Sequence, residues 1–185
     1  NKNKIPIKSN FIKSDALLSN LGLAIKIALD FGVRKSVISK TIPKIKFEGR
    51  VQYVKKGNFK KMLYKNEKLL VDGCHSISSG ENLYNYLKTL KGPIYGIWGM
   101  QRNKIPDKFI GSFNNIFKKI YTIKIPNEPN ALNAHELKKI SEKFNNNTET
   151  ALNVKNAIKK ISNKKNKTIV IFGSLYLIGD FLKIN

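Results

Sequence analysis

The sequence predicts an α/β fold, a Rossmann-like and mostly parallel sheet flanked by helices. Two observations carry this expectation. From Lys68 onward short apolar runs alternate with longer stretches of helical period, and strands of about five residues between helices of about ten read as repeated strand–helix–strand units. The junctions carry turn residues or polar tracts, among them Gly92-Pro93, Asn145-Asn146-Asn147 and Asn163 to Lys167, which read as solvent-exposed connections. Helical crossovers between successive strands make them parallel, with helices on both faces, and ligands are expected at their carboxyl ends.

The opening residues follow a different pattern. Ser14 to Phe31 has a helical period: Leu17, Leu21, Ala24 and Ala28 share a face with Leu18, Ile25 and Leu29 beside it, and Ser14 and Gly32 suit its two ends. Arg34 to Lys40 is a shorter helix closed by Pro43, so this portion reads as helix-turn-helix. Val51 to Val54 alternates like a strand, Lys56-Gly57-Asn58 reads as a turn, and Phe59 to Tyr64 as an antiparallel return. A boundary near Pro43 to Glu48 divides residues 1–46 from residues 47–185.

In the second part Leu69 to Val71 is a strand, Asp72 to Ser79 a polar turn, and Leu83, Tyr86, Leu87 and Leu90 mark a helix. Strands at Ile94 to Trp98, Ile120 to Ile125 and Thr168 to Phe172 alternate with helices at Pro106 to Phe117, Ala134 to Phe144, Thr150 to Ile161 and Leu175 to Leu182. No internal repeat is present.

Length and composition bound the function. At 185 residues the chain allows about one compact domain and a remainder, which excludes a complete multi-domain machine. With 41% hydrophobic and 25% charged residues it is globular rather than disordered. No run approaches 18 apolar residues, and Asn1-Lys2-Asn3-Lys4 has neither a signal-peptide core nor an initiator Met. The expectation is a soluble, cytoplasmic chain without membrane association that begins mid-protein. The single cysteine, Cys74, forms no internal disulfide.

The net charge of +23 would ordinarily suggest a polyanion partner. Of the 35 basic residues, however, 32 are Lys and 3 are Arg, and Asn (22) and Ile (24) are also in excess. A·T-rich codons produce that joint bias on any surface. Nucleic-acid sites use Arg forks with interleaved aromatics, whereas Lys here is scattered through every segment. The expected partners therefore include no nucleic acid, although a basic nucleic-acid-binding module remains an alternative.

The most informative segment is Leu69-Leu70-Val71-Asp72-Gly73-Cys74-His75-Ser76. It puts a carboxylate and an imidazole at the carboxyl end of a strand, where Asp72 could accept from ribose hydroxyls and His75 could meet a phosphate or guide a proton. The bland alternatives are that Asp72 caps its loop and that His75 is a surface residue. Ser174 after Gly173 could offer a hydroxyl and N–H groups to an anion, or simply cap the last helix. Cys74 reads as packing, and His135 as a solvated side chain.

The Asp72 segment resembles the Asp-Gly/Tyr-Ala-His-Asn-Pro signature of Mur-type ligases, in the form found in folylpolyglutamate synthase and dihydrofolate synthase. Three further segments are similar in the same order. Asn20 matches the Asn of a His-Gln-x-x-Asn-Ala helix, and Phe47-Glu48-Gly49-Arg50-Val51-Gln52 resembles Trp-Pro-Gly-Arg-Leu/Phe-Gln. Phe172-Gly173-Ser174-Leu175-Tyr176-Leu177-Ile178-Gly179 resembles Gly-Ser-Phe/Leu-Tyr-Leu-Val-Gly. Gly96 to Met100 sits where the family has Gly-x-x-x-Asp-Lys-Asp, a looser match.

The resemblance implies that residues 1–46 are the last helices of a central ATPase domain and residues 47–185 a Mur ligase C-terminal domain. It implies that Asn20, Arg50 and Asp72 bind ATP, with His75 near the reacting phosphate. It further implies an ATP-dependent ligase that joins L-glutamate to dihydropteroate or tetrahydrofolate through an acyl phosphate, acting as a monomer. Several positions depart from the pattern: Cys74-His75-Ser76-Ile77 replaces Ala-His-Asn-Pro, Ala16-Leu17 replaces His-Gln, and Phe47-Glu48 replaces Trp-Pro. No Gly-Lys-Ser/Thr loop and no Mg²⁺ site is evident, so the phosphate-cradling loop and metal ligands are expected upstream and the chain is read as a C-terminal fragment. A nucleotide-binding domain without turnover is the remaining alternative.

Overall fold

Helix α1 (Asp15–Asp30) begins where its capping residue dictates: Ser14 is extended and its Oγ accepts the N–H of Leu17. Gly32, at φ 78°, follows its end. The structure is a computed structural model that describes residues 5, 7, 9, 11–145 and 147–185; Asn1 to Lys4 and Asn146 of the segments discussed above lie outside them. Two compact units are present, residues 1–48 and residues 49–185.

The first unit holds α1, helix α2 (Lys35–Thr41) and a 3₁₀ turn over Ile42–Lys44. Pro43 does not end the helical path but sits inside this turn, where its fixed φ is tolerated. Leu21, Ile38 and Ile42 form the small core. Leu23 and Ile27 of α1 and Phe31, which caps its end, recur every four residues and stay exposed, Phe31 at 84%.

The second unit is a six-stranded sheet in the order β1-β2-β6-β3-β4-β5. Its strands are β1 (Gln52–Tyr53), β2 (Glu67–Asp72), β3 (Ile94–Trp98), β4 (Phe117–Thr122), β5 (Thr148–Thr150) and β6 (Lys167–Phe172). Only β1 runs antiparallel, against β2; the other pairings are parallel. The helices are α3 (Asn58–Lys61), α4 (Ile77–Lys88), α5 (Pro106–Gly111), α6 (Ala134–Ser141), α7 (Val154–Ile161) and α8 (Leu175–Ile184).

Strand alternation builds two separate cores. Leu69, Val71, Ile169 and Ile171 face Phe59 of α3, Ile158 of α7, and Leu177 and Phe181 of α8. Leu70, Val170 and Phe172 face Leu83 of α4, Phe109 of α5 and Leu137 of α6. Helices thus cover both faces, and buried strands read as continuous apolar runs.

Several boundaries differ from the sequence expectation. Phe59 to Tyr64 does not return as a strand: the backbone oxygen and Oδ1 of Asn185 accept the N–H groups of Asn58 and Phe59, starting α3 instead. Phe59, Met62 and Leu63 then face the core with helical spacing. Helix α5 stops at Gly111 because Asn114 and Asn115 take left-handed φ values of 41° and 57°. Thr148–Thr150 joins the sheet edge, so α7 starts later, where Asn153 accepts the N–H of Asn156. Strand β4 lies three residues earlier than expected.

Two polar tracts are less solvated than their composition suggests. Asn145 is buried and donates Nδ2 to the Phe117 carbonyl at 2.8 Å. Lys167 opens β6 and is buried against Glu67 at 3.1 Å. Among the described residues no helix is long and apolar enough to cross a membrane.

Candidate functional site

Asp72, Phe172 and Trp98 are register partners across β2, β6 and β3, and a glycine follows each. Beyond this row the chain diverges: β2 leads into α4 on one face of the sheet and β6 into α8 on the other. Adjacent strands whose exits part in this way leave a crevice at their carboxyl ends, the usual ligand position in such sheets. Gly173 lets β6 close on β3. Its φ is 110°, and an added Cβ would lie 2.5 Å from both the Gly99 carbonyl oxygen and Trp98 Cδ1. Trp98 Nε1 is buried without a hydrogen-bond acceptor among the described residues.

The turn Gly49-Arg50-Val51-Gln52 packs against this edge. Gly49 has φ 73° and Val51 φ 42°, a conformation that costs a β-branched residue about 1–3 kcal/mol. Three hydrogen bonds hold it, and a fourth orients the Asp72 carboxylate. Gly49 N–H donates to Gln52 Oε1 at 2.6 Å, and the Gly49 carbonyl accepts from Gly73 N–H at 2.8 Å. Val51 N–H donates to Asp72 Oδ2 and Cys74 N–H to Asp72 Oδ1, both at 2.8 Å.

Arg50 Nη1 lies 3.7 Å from Asp72 Oδ1, with the Arg50 side chain 33% exposed and that of Asp72 6%. Burial raises the Asp72 carboxyl above its ordinary value, against the opposing pull of the Val51 N–H, the Arg50 charge and the Cys74 N–H. The buried carboxylate thus braces a strained turn at the carboxyl end of β2. Its loop-capping role and its proximity to Arg50 coexist. The partly open guanidinium fork suits a phosphate oxygen.

His75 is half-buried one residue past Cys74. Its Nδ1 lies 2.9 Å from the Gly73 carbonyl, which can only accept, so Nδ1 carries the proton and Nε2 keeps the free lone pair in the neutral ring. Ser79 Oγ accepts the His75 N–H at 3.1 Å, and Ser76 and Ser79 form a reciprocal cap for α4. Pro is therefore not needed to shape the Ser76-Ile77 loop.

Cys74 is buried, and desolvation together with the Asp72 charge pushes its thiol well up, which fits packing rather than nucleophilic chemistry. Ser174 is buried at the start of α8 and its Oγ accepts the Tyr176 N–H at 3.1 Å. His135 is exposed. Asn20 is exposed on α1, in the first unit, on the same helical face as Leu23 and Ile27.

Where the family likeness is loose, the loop after β3 is fastened down. Met100 is fully buried, Gln101 bridges to Ala131, and Arg102 pairs with Glu136 at 2.8 Å. Ile105, next along, is a second β-branched residue at positive φ, 52°. Among the described residues no three His, Cys, Asp or Glu side chains group closely enough to hold a metal ion.

The sequence reading missed the structural parts played by Gln52 and by the Val51 N–H. Gly49 was the available signal, since a glycine before Arg marks a turn that some neighbour must close.

A family model described as dihydrofolate synthetase, C-terminal domain, matches residues 55–184. No curated protein matches the chain by sequence. Among solved structures, Mycobacterium tuberculosis folylpolyglutamate synthase complexed with ADP and AMPPCP superposes with a TM-score of 0.77 at 16% identity, over 93% of this chain and 40% of that one. Thermotoga maritima folylpolyglutamate synthase gives 0.71 at 23% identity, over 92% and 40%. A bifunctional folylpolyglutamate synthase/dihydrofolate synthase with Mn, AMPPNP and L-glutamate bound gives 0.73 at 14%, over 92% and 39%. These likenesses are of fold, and the chain spans about 40% of the length of the first two of these solved relatives. The match over residues 55–184 takes in well over half of the sequence, and the chain belongs to the dihydrofolate synthetase C-terminal domain family.

Proposed function

We propose that this chain forms the C-terminal part of an ATP-dependent ligase that adds L-glutamate to dihydropteroate or tetrahydrofolate. A substrate carboxylate is a poor electrophile, so ATP supplies a phosphoryl group to make an acyl phosphate, which the glutamate amine attacks with loss of phosphate. Residues 47–185 act as the glutamate-ligase domain, and residues 1–46 as the last helices of the ATP-binding domain. The exposed Leu23-Ile27-Phe31 stripe supports the latter, since such a row is a surface made to pack.

The observation that carries the reading is the Arg50–Asp72 pair at the β2/β6 crevice. Arg50 neutralises phosphate charge through the part of its fork that Asp72 leaves open. Asp72 fixes that fork and its turn, and accepts from ribose hydroxyls with the lone pairs its backbone partners leave. His75 offers Nε2 to the phosphate end or to the proton shed by the amine. Asn20 pairs with the adenine edge by donating and accepting. The complexes of relatives with ADP, AMPPCP and L-glutamate support ATP and glutamate as ligands. The Mg²⁺ that accompanies ATP finds no cluster of three His, Cys, Asp or Glu side chains among the described residues.

Glutamate-dependent ADP release by the whole protein carrying Arg50→Ala tests the proposal. A fall of at least about tenfold in kcat/KM, equivalent to about 1.4 kcal/mol of transition-state stabilisation, is expected. Unchanged turnover contradicts it.

A further inference from the structure

We propose that the cavity between α3, α8 and the segments following β4 and β5 binds a zwitterion with an apolar body, the class of an apolar amino acid or dipeptide. Its volume of about 500 Å³ lies in the range of small-molecule sites. Arg50, Asp72 and His75 do not line it, so the inference is independent of the function proposed above.

The apolar part of the lining is fixed. Phe59 is buried and stacked on Phe181 with ring centroids 4.9 Å apart, and Met62 lies one helical turn further along α3. Ile184 also faces the cavity and is 54% exposed, although the same helix buries Leu177, Ile178 and Phe181 in the core. An apolar ligand body covering Phe59, Met62 and Ile184 would remove that surface from water.

The charges select the ligand. Lys124, Lys155 and Asp180 line the same cavity and come from three different segments. Among the described residues none of the three forms an ion pair. For Asp180 this is unusual, because the chain carries 35 basic residues against 12 acidic ones. A plain carboxylate would meet the two ammonium groups but also Asp180. A plain amine would meet Asp180 but also both lysines. A ligand carrying both charges satisfies all three, its ammonium at Asp180 and its carboxylate at Lys124 and Lys155.

Titration of leucyl-leucine into the ¹⁵N-labelled chain tests this. The amides of Phe59, Met62, Lys155 and Asp180 are expected to shift while those of Arg50 and Gly73 do not. N-acetyl-leucyl-leucine and leucyl-leucine amide, each lacking one charge, are expected to bind about two- to fivefold more weakly, as loss of one exposed charge contact implies. Asp180→Asn should abolish the discrimination against the acetylated probe, and the Lys124→Gln/Lys155→Gln pair that against the amide. Equal affinity for the three probes, shifts elsewhere, or none at saturating concentration overturns the proposal. The probe comparison on the unmutated chain decides the matter should either variant misfold.

Discussion

Asp72 Oδ2 accepts the N–H of Val51 at 2.8 Å and so holds a β-branched residue at φ 42°. One buried carboxylate thereby couples the end of β2 to the turn that carries Arg50. Asp72→Asn keeps the shape but presents an amide NH₂ to one of two backbone N–H groups. That leaves a buried donor unpaired, and a loss of about 1–3 kcal/mol is expected in urea unfolding. An unaltered midpoint would show that the carboxylate does not brace the turn.

Gln52 closes the same turn through the Gly49 N–H. Gln52→Leu removes the acceptor, and Gly49 is joined to Gly73 through its carbonyl, so both amides are expected to lose protection together in hydrogen exchange. Faster exchange at neither amide would contradict a Gln52-closed turn.

The close approach of β6 to β3 at Gly173 predicts opposite outcomes for two glycines of one segment. Gly173→Ala places a Cβ 2.5 Å from the Gly99 carbonyl oxygen at a left-handed φ and is expected to cost several kcal/mol. Gly179→Ala, inside α8 with nothing within 4 Å, is expected to gain about 0.5–1 kcal/mol. Thermal melts of the two variants read the contrast directly, and equal melting temperatures would refute it.

Acid sensitivity is expected from Glu67. Burial pushes its carboxyl up, but hydrogen bonds from Ser162, Asn163, Tyr64 and Lys167 more than offset this, and the pKa is lowered on balance. A lowered folded value means that the unfolded chain takes up the proton first. The stabilisation is therefore complete above the ordinary glutamate value of about 4.3 and is lost as pH falls below it toward the folded value. Glu67→Gln should remove that part of the pH dependence. It should also cost about 3–5 kcal/mol at neutral pH, because Lys167 is left buried without its counter-charge. A variant with the wild-type acid limb in its stability profile would contradict the assignment.

The central strands were legible because burial on both faces leaves uninterrupted apolar runs: β3 matches its expected limits, and β2 and β6 extend theirs by polar residues at their ends. Strand β5 was hidden because Thr-Glu-Thr at a sheet edge has no apolar signature. Helix α3 was misread because its start depends on Asn185, more than a hundred residues away, rather than on local pattern. At the site, Arg50 and Asp72 were singled out by the resemblance of their segments, and the two side chains lie 3.7 Å apart. The left-handed Val51 was not legible, since valine favours extended backbone and only the Asp72 acceptor explains its conformation.

Nucleotide phosphate is expected to meet Arg50 beside Asp72. Titration of ADP into the ¹⁵N-labelled chain, with Arg50→Ala alongside, tests this most directly. Amide shifts are expected at Gly49–Gln52 and Gly73–His75 that persist at moderate salt and vanish in the variant. Shifts spread over lysine-bearing surface segments, screened by salt and unchanged in Arg50→Ala, would contradict it.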